Sequence, residues 1–417
     1  MRRAVIAVAL IVVIVAGALA AFVLYRKHQS RNVRGSSTVE FVTTQSAEER
    51  TPRDLKIIPW PMFGYTVTGV RFADGIRVRP PFQRLWASGG ASLLEFQPAI
   101  AYGRLYLVNA YGDVLALNTR TGKRAWRFRG RRCAASSPAV SRIMRGTVYV
   151  SLLNRGNCAT GSGRDGEVVA LAHNWGQVRW RKTIGPTESS PLLVGNTVYV
   201  GDWRGDVYAL DARTGKTRWR FHTGGRVKGG LSYLTGRVFV GSYDHHVYAL
   251  SARSGRLLWK GAAQQRLGNR GRFYSTAAVA YGRAYIGSTD GKVYSFGAHS
   301  GKLRWSHDTG GYVYGSPAIW RQRVLVGSYS GRFFALDAAT GDEKWVFKAN
   351  GPISGSATVI DGIVYFATLK GRTYGLDART GQEVWRFGDG RYAPLVADRE
   401  RAYLVGYAKV YGFKRQE

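Results

Sequence analysis

The residues most able to carry out chemistry are few in this sequence, and they stand far apart. Its two cysteines, Cys133 and Cys158, are separated by 25 positions, which is neither a disulfide framework nor the paired spacing of a zinc site. Adjacent His245 and His246 would need further ligands in space to bind a metal, and a solvated turn also explains them. The stretch 161–163, Gly-Ser-Gly, lacks the strand-to-helix context of a phosphate-binding loop. These residues predict neither a catalytic site nor a metal site.

The charge of the chain is strongly positive. Its 61 Lys and Arg residues against 26 Asp and Glu residues give a net charge of +35. Such a charge attracts polyanions such as nucleic acid, anionic lipid headgroups or acidic wall polymers. Because no single Lys/Arg block stands out, we favour arginines dispersed over turns and outer strands as its explanation, and we do not expect nucleic acid as a partner.

The N-terminus contains an apolar run, residues 4–25, that carries no charged residue. About 20 apolar residues cross the hydrocarbon core of a bilayer as a helix. A cleaved signal peptide is the alternative, with small residues at Ala18 and Ala20, but the apolar run continues past them to Tyr25. We predict an uncleaved transmembrane signal anchor over residues 1–26 and a flexible, polar tether over residues 27–56.

A repeat governs the rest of the sequence, and its clearest copy runs from Gly205 to Phe221. Each copy combines an alternating strand, an Asp-to-Gly turn and a second strand that carries a tryptophan. A period near 40 residues with four strand-like stretches is typical of a propeller blade. The tryptophans of the seven complete copies are Trp126, Trp180, Trp219, Trp259, Trp305, Trp345 and Trp385.

The count of blades depends on one further tryptophan. After Trp385 the sequence supplies three strands but no fourth, and Trp86 lies 40 residues before Trp126. The strand around Trp86 therefore completes the last blade and closes the ring, which removes an exposed sheet edge. The sequence predicts an all-β, eight-bladed β-propeller of four-stranded blades over residues 57–417, and we expect this propeller to be monomeric.

These repeats resemble those of the pyrroloquinoline quinone (PQQ)-type propellers, and the stretch 60–65 resembles the lead-in segment of that superfamily. The resemblance implies that each repeat tryptophan wedges between adjacent blades. Quinoprotein dehydrogenases of this superfamily hold PQQ and calcium under a pair of adjacent cysteines, which Cys133 and Cys158 cannot form. We therefore expect no cofactor and no enzyme activity, with a PQQ-dependent dehydrogenase as the remaining alternative.

The resemblance also places the B–C and D–A connections of every blade on one face, around the mouth of the central channel. This face is rich in Tyr, Trp and Arg, the residues enriched at binding hot spots. Both cysteines fall on it, so Cys133 and Cys158 are a candidate disulfide. The candidate partner-binding residues are Tyr111, Arg131, Arg132, Trp203, Arg204, Arg226, Lys228, Tyr243, Arg272, Tyr274, Tyr312, Tyr314, Tyr329, Lys370, Arg391 and Tyr392.

The resulting expectation is a noncatalytic, membrane-anchored scaffold. Its architecture is similar to that of the eight-bladed lipoprotein of the outer-membrane barrel-assembly machinery, which implies an extracytoplasmic propeller that binds a protein partner through its loops. The lipid-bearing cysteine of that lipoprotein is replaced here by the apolar span. A sensor module for anionic envelope polymers stays open as an alternative.

Overall fold

The computed structural model describes residues 2–44, 55–89, 93–155, 158, 163–265 and 270–416, with side chains from residue 6 onward. Eight sheets stand around a central channel, each with four antiparallel strands, and one of them has a fifth, parallel strand at its inner edge. The innermost strands of consecutive blades contact one another along that channel. The predicted all-β, eight-bladed propeller is thereby confirmed.

The strands of each blade are labelled A to D from the channel outward. Blade 1 contains Ala99–Ala101, Arg104–Val108, Asp113–Asn118 and Arg124–Arg129, and blade 2 contains Ala139–Ser141, Thr147–Leu152, Gly166–Ala172 and Val178–Ile184. Blade 3 contains Leu192–Val194, Thr197–Gly201, Asp206–Asp211 and Thr217–His222, and blade 4 contains Ser232–Leu234, Arg237–Gly241, His246–Ser251 and Leu257–Ala262. Blade 5 contains Ala278–Ala280, Arg283–Gly287, Lys292–Gly297 and Leu303–Asp308, and blade 6 contains Ala318–Trp320, Arg323–Gly327, Arg332–Asp337 and Glu343–Lys348. Blade 7 contains Thr358–Ile360, Ile363–Thr368, Arg372–Asp377 and Glu383–Phe387, and blade 8 contains Val396–Ala397, Arg401–Val405, Lys409–Arg415 and Phe82–Gly89.

The burial of each strand follows from its position in the blade. Strands B and C are nearly continuous apolar runs and are mostly buried, as in Thr197–Gly201, because a neighbouring blade covers each face. Strand D lies at the outer surface and is mostly exposed, but its tryptophan points inward, as Trp219 does in Thr217–His222. A short 3₁₀ turn, Ile143–Arg145, lies between strands A and B of blade 2.

The ring closes through the N-terminal strand, as the sequence predicts. Phe82–Gly89 pairs antiparallel with Lys409–Arg415, with Phe82 opposite Arg415 and Trp86 opposite Gly412. Blade 8 is therefore built from both ends of the propeller, and its strand D is the only one that comes from the N-terminal side among the described strands.

The repeat tryptophans join each blade to the next one. Six of the eight indole N–H groups donate to a backbone carbonyl in the C–D turn of the following blade. A glycine of the same turn lies against the indole, as Gly215 does against Trp180, and its positive φ of 71° suits glycine. Trp345 lies against Gly381, and Trp385 packs edge-on against Phe82 with ring centres 5.4 Å apart. The six bonds are Trp86 to Thr119 (3.2 Å), Trp126 to His173 (2.9 Å), Trp180 to Ala212 (3.0 Å), Trp219 to Ala252 (2.9 Å), Trp259 to Ala298 (3.1 Å) and Trp305 to Ala338 (2.9 Å).

A chain segment that precedes the first blade runs along the inside of the channel. This inner segment, residues 57–79, accepts backbone hydrogen bonds from the middle residue of strand A in blades 1, 2, 4, 5, 6 and 7. Its residues Phe72–Ala73 also pair in parallel with strand A of blade 7. Within it, Trp60 and Arg71 are fully buried. The inner segment thus occupies the channel and touches most of the blades.

The N-terminus forms a helix, Arg2–Gln29, and the stretch Ile6–Gln29 is long and apolar enough to cross a membrane. The helix extends three residues beyond the predicted boundary at residue 26.

The following residues differ from the predicted flexible tether. Residues 33–42, called the strap, lie against the flanks of blades 5 and 6, where Gly35 N–H donates to Thr340 and Val42 N–H donates to Tyr281. The buried Arg283 donates to the carbonyl of Glu40 at 2.7 Å. Although its composition is polar, this stretch therefore packs against the propeller, because its backbone carbonyls accept hydrogen bonds from the buried guanidinium of Arg283.

Candidate functional site

Two positions of the repeat supply the residues that surround the mouth of the channel. In blades 1 to 7 the residue four places before the first residue of strand A lies at the D–A connection or close to it, and in blade 8 the equivalent residue, aligned on Pro394, lies five places before strand A. A second residue follows two places later in each repeat. The first ring comprises Glu95, Ala135, Glu188, Lys228, Tyr274, Tyr314, Ser354 and Arg391, and the second comprises Gln97, Ser137, Ser190, Gly230, Thr276, Ser316, Ser356 and Ala393.

Members of both rings line a pit in the mouth, with a cavity of about 150 Å³. Phe63 of the inner segment also lines this pit. The second ring links neighbouring blades, since Thr276 N–H donates to Ser316 Oγ and Ser316 N–H donates to Ser356 Oγ, both at 2.9 Å. The fold therefore presents a narrow recess whose wall comes from most of the blades.

Beside the pit, an ammonium group is enclosed by aromatic rings. Lys228 Nζ lies 4.4 Å from the ring centre of Trp203 and 5.7 Å from those of Tyr243 and Tyr274. It also bonds Glu188 Oε1 at 3.2 Å, while the Tyr274 hydroxyl donates to Glu188 Oε2 at 3.1 Å. Cation–π contacts and a charge-assisted hydrogen bond together hold these side chains in one arrangement.

A chain of tyrosines continues from this group around the mouth. Ring centres lie 5.2 Å apart for Tyr274 and Tyr314 and 5.1 Å apart for Tyr314 and Tyr329, and Tyr312 packs on both of the latter. Burial, followed by the charge of Glu188, raises the pKa of Tyr243 and Tyr274, so their hydroxyls stay protonated donors at neutral pH. Together with the exposed Arg226 over Trp203 and Arg272 over Tyr243, these residues form the mouth cluster. Its members are Trp203, Arg226, Lys228, Tyr243, Arg272, Tyr274, Tyr312, Tyr314 and Tyr329.

The other predicted residues lie outside the mouth cluster, although Tyr392 lines the pit together with Tyr274 and Tyr314. Arg391 stacks over Tyr392 and Tyr407 in blade 8, with distances of 5.6 and 4.9 Å from its guanidinium carbon to the ring centres. Tyr111 is 62% exposed. Arg131, Arg204 and Lys370 are also exposed on the connections of other blades.

Arg132 departs from the predicted exposed position. Its side chain is only 4% exposed, and it pairs with Asp165 at 3.1 Å and with Glu167 at 3.6 Å. A buried guanidinium with two carboxylate partners holds the B–C insertion of blade 2 against its D–A connection. Arg132 is therefore not presented to a partner, and the prediction that it belongs to the binding face is wrong.

The two cysteines meet beside this insertion. Cys133 and Cys158 form a disulfide with their Cα atoms 5.2 Å apart. Backbone bonds from Cys133 N–H to Asn154 and from Leu153 N–H to Cys133 run alongside it. The bond thus fastens the insertion of blade 2 to the rim of the face.

Several residues that line the pit were not predicted, Thr276 among them, and two of these, Glu95 and Gln97, belong to blade 1. Both lie on the stretch just before strand A of blade 1, and the proline that follows, Pro98, aligns them with Glu188 and Ser190 of blade 3. Superposing the repeats on that proline would have found them. Burial, and then the charge of Glu188, raises the pKa of Glu95, although Arg391 acts in the opposite direction.

The histidines take structural roles in the turn that was predicted for them. His245 Nδ1 lies 3.1 Å from the carbonyl oxygen of Gly271, and His246 Nδ1 lies 2.9 Å from the carbonyl oxygen of Asp244. Among the residues that the structure describes, no group of three or more His, Cys, Asp or Glu is placed to hold a metal ion.

Known proteins that resemble this chain differ widely in function. The serine/threonine-protein kinase AfsK of Streptomyces griseus is 32% identical over 158 residues, which are 34% of this chain and 18% of the kinase. The outer membrane protein assembly factor BamB of Salmonella typhimurium is 28% identical over 182 residues, covering 33% of this chain and 46% of BamB. The crystal structure of the quinohemoprotein alcohol dehydrogenase from Comamonas testosteroni superposes with a TM-score of 0.71 at 14% identity, covering 86% of this chain and 81% of the enzyme.

The sequence matches cover less than half of either relative, and the structural likeness shows the fold alone. A family model described as outer membrane protein assembly factor BamB matches this chain over residues 83–169, 164–386 and 309–412. Because these matches span most of the propeller and well over half of the sequence, this chain belongs to the family of the outer membrane protein assembly factor BamB, whose blades are PQQ-type repeats.

Proposed function

We propose that this protein is a noncatalytic scaffold, anchored in the membrane by its N-terminal helix, that binds a protein segment on the extracytoplasmic side through the mouth cluster. The observation that carries the proposal is the enclosure of Lys228 by Trp203, Tyr243 and Tyr274. Side chains that are already fixed lose little conformational entropy when a partner binds. Tyr, Trp and Arg also dominate the hot spots of protein interfaces.

The location rests on two features. The helix Ile6–Gln29 supports membrane anchoring, since it is apolar over its length and none of its most apolar window is buried against the propeller. The disulfide between Cys133 and Cys158 supports an oxidising, extracytoplasmic compartment.

The residues at the channel do not fit PQQ. The pit, at about 150 Å³, is smaller than the roughly 300 Å³ and more of pockets that hold compact organic ligands. PQQ carries three carboxylates, whereas the one described Lys or Arg that lines this pit, Lys228, is already engaged by Glu188, and Glu95 would repel them. The disulfide fastens the insertion of blade 2 to the rim and does not cover the pit. The scaffold proposal therefore needs no cofactor.

A second candidate function is the binding of an anionic envelope polymer. Arg129, Arg131, Arg155 and Arg181 line a cleft on blade 2 and its border with blade 1. Arginines grouped in this way attract phosphate or carboxylate groups. Steep loss of binding with added salt would favour this candidate, because exposed charges are screened beyond about 10 Å at 0.1 M salt.

Photo-crosslinking in the native membrane tests the protein-binding proposal. A photoreactive amino acid replaces Tyr312, which is 47% exposed in the mouth cluster, and crosslinked proteins are identified by mass spectrometry. The control places the same group at Trp175, which is 69% exposed in a C–D turn on the opposite face. We expect one dominant protein from position 312 alone. The same crosslinks from both positions, or none from position 312, would refute the proposal.

A further inference from the structure

The pit has the dimensions of a site for one side chain. Its cavity of about 150 Å³ is well below the roughly 300–1,000 Å³ of pockets that hold a whole small-molecule ligand. Phe63 of the inner segment lines it, and Tyr274, Tyr314 and Tyr392 add aromatic surface to its wall. A narrow recess with aromatic sides suits an extended side chain that has an apolar stem and a polar end.

Two deeply buried polar groups that line the pit have no bonding partner. Gln97 is 1% exposed, and neither its amide oxygen nor its amide nitrogen bonds another described residue. Thr276 is 3% exposed, and its hydroxyl likewise lacks a partner in the described part of the chain. Because buried polar side chains are normally hydrogen-bonded, these groups point to a polar ligand.

The charges at the pit indicate the sign of that ligand. Glu188 is already engaged by Lys228 and Tyr274. Glu95 forms neither an ion pair nor a side-chain hydrogen bond with any described residue, although it lines the same pit. Lys228, the one Lys or Arg among the described residues that line the pit, is thus engaged by Glu188, so the carboxylate of Glu95 leaves the pit with an excess of negative charge that a cation would balance.

We propose that the pit receives one arginine or lysine side chain of the bound protein segment, whose N–H groups donate to Glu95, Gln97 and Thr276. This inference rests on the proposed function, since the side chain belongs to the segment that the mouth cluster holds. The tyrosines cover the aliphatic stem, and the exposed Arg226 and Arg272 outside the pit favour acidic residues on either side of the inserted cation.

Two blocked pentapeptides test this inference by titration calorimetry with the intact propeller. One has the sequence Asp-Ala-Arg-Ala-Asp, and the other has citrulline, a neutral analogue of the same shape, in place of arginine. We expect the arginine peptide to bind at least about tenfold more tightly, and Glu95→Gln to remove most of that difference. Gln97→Met should weaken the arginine peptide while Glu383→Gln, on the outer strand of blade 7, should not. Thermal unfolding of each variant verifies that it is folded.

Equal affinity for both peptides, or no saturable binding of the arginine peptide, would overturn the inference. That result would leave the scaffold proposal standing if position 312 still captures one dominant protein. Failure of that crosslink would instead refute the scaffold proposal, whatever the peptides do.

Discussion

Lys228 Nζ lies 4.4 Å from the ring centre of Trp203 and 3.2 Å from Glu188 Oε1, so one ammonium group joins an aromatic wall to a carboxylate of the pit. The side chains of Lys228 and Glu188 are 17% and 12% exposed. The two charges of such a buried ion pair depend on each other, because either charge alone is poorly solvated.

Replacing Lys228 by Met should therefore destabilise the protein. The variant leaves Glu188 without its ammonium partner, which costs about 1–3 kcal/mol in the free energy of unfolding. Adding Glu188→Gln should recover part of this loss, and chemical denaturation measures both values. Lys123→Met, at an exposed turn, is the control. If Lys228→Met unfolds like that control, the pair does not stabilise the mouth.

Ring closure predicts a large effect at Trp86. Trp86→Ala removes the indole that bonds Thr119 and packs against Gly122 and Gly412, and we expect a loss of about 3 kcal/mol. Trp175→Ala removes an exposed indole and should change the stability by less than about 0.5 kcal/mol. Equal melting temperatures for the two variants would contradict closure through this strand.

The strap should detach at acidic pH. Burial opposes the ionisation of Glu40, but hydrogen bonds from Ser300 and Arg304 outweigh it and lower its pKa below the usual value of 4.5. The contribution of Glu40 to strap docking is therefore complete above pH 4.5, the usual pKa of the group. It is lost as the pH falls through the lower pKa that Glu40 has when the strap is docked.

Hydrogen exchange of the Gly35 and Val42 amides, corrected for the intrinsic rate at each pH, measures strap docking. Glu40→Gln should speed this exchange several-fold at pH 7 and much less at pH 3, while Glu383→Gln should leave it unchanged. A strap that exchanges equally fast in both proteins at pH 7 would show that Glu40 does not hold it.

The disulfide predicts the redox state of the isolated protein. Protein taken from its native membrane should resist thiol alkylation until it is unfolded and reduced. Reduction should lower stability by about 3 kcal/mol, the loop-closure value for a ring of this length. Two thiols that react without reductant would contradict both the bond and the extracytoplasmic location.

The regular parts of the fold were predictable because the repeat encodes them locally. Every blade carries its own turn and its own tryptophan, so counting tryptophans located even the closing strand around Trp86. The sequence did not reveal that residues 33–42 dock, because their partners, such as Arg283, come from distant blades. It also misassigned Arg132, since an arginine in a connection appears exposed until Asp165 and Glu167 are placed beside it.

The sequence predicted which face of the propeller carries the candidate site, but it did not predict the pit in that face. Tyr243, Tyr274 and Tyr314 follow from loop positions, and the structure brings them together. Glu95 and Gln97 were missed because they resemble an ordinary polar lead-in to a strand. Their position at the pit becomes clear only when blades 1 and 3 are placed around the same channel.

The most direct test of the central claim is quantitative capture of the native partner by the Trp203→Ala, Tyr243→Ala double variant in the membrane. The account predicts that the yield of the position-312 crosslink falls at least about tenfold, as expected when two hot-spot residues are truncated. Trp175→Ala should keep the full yield. Unchanged capture by the folded double variant would contradict the claim that the mouth cluster binds a protein.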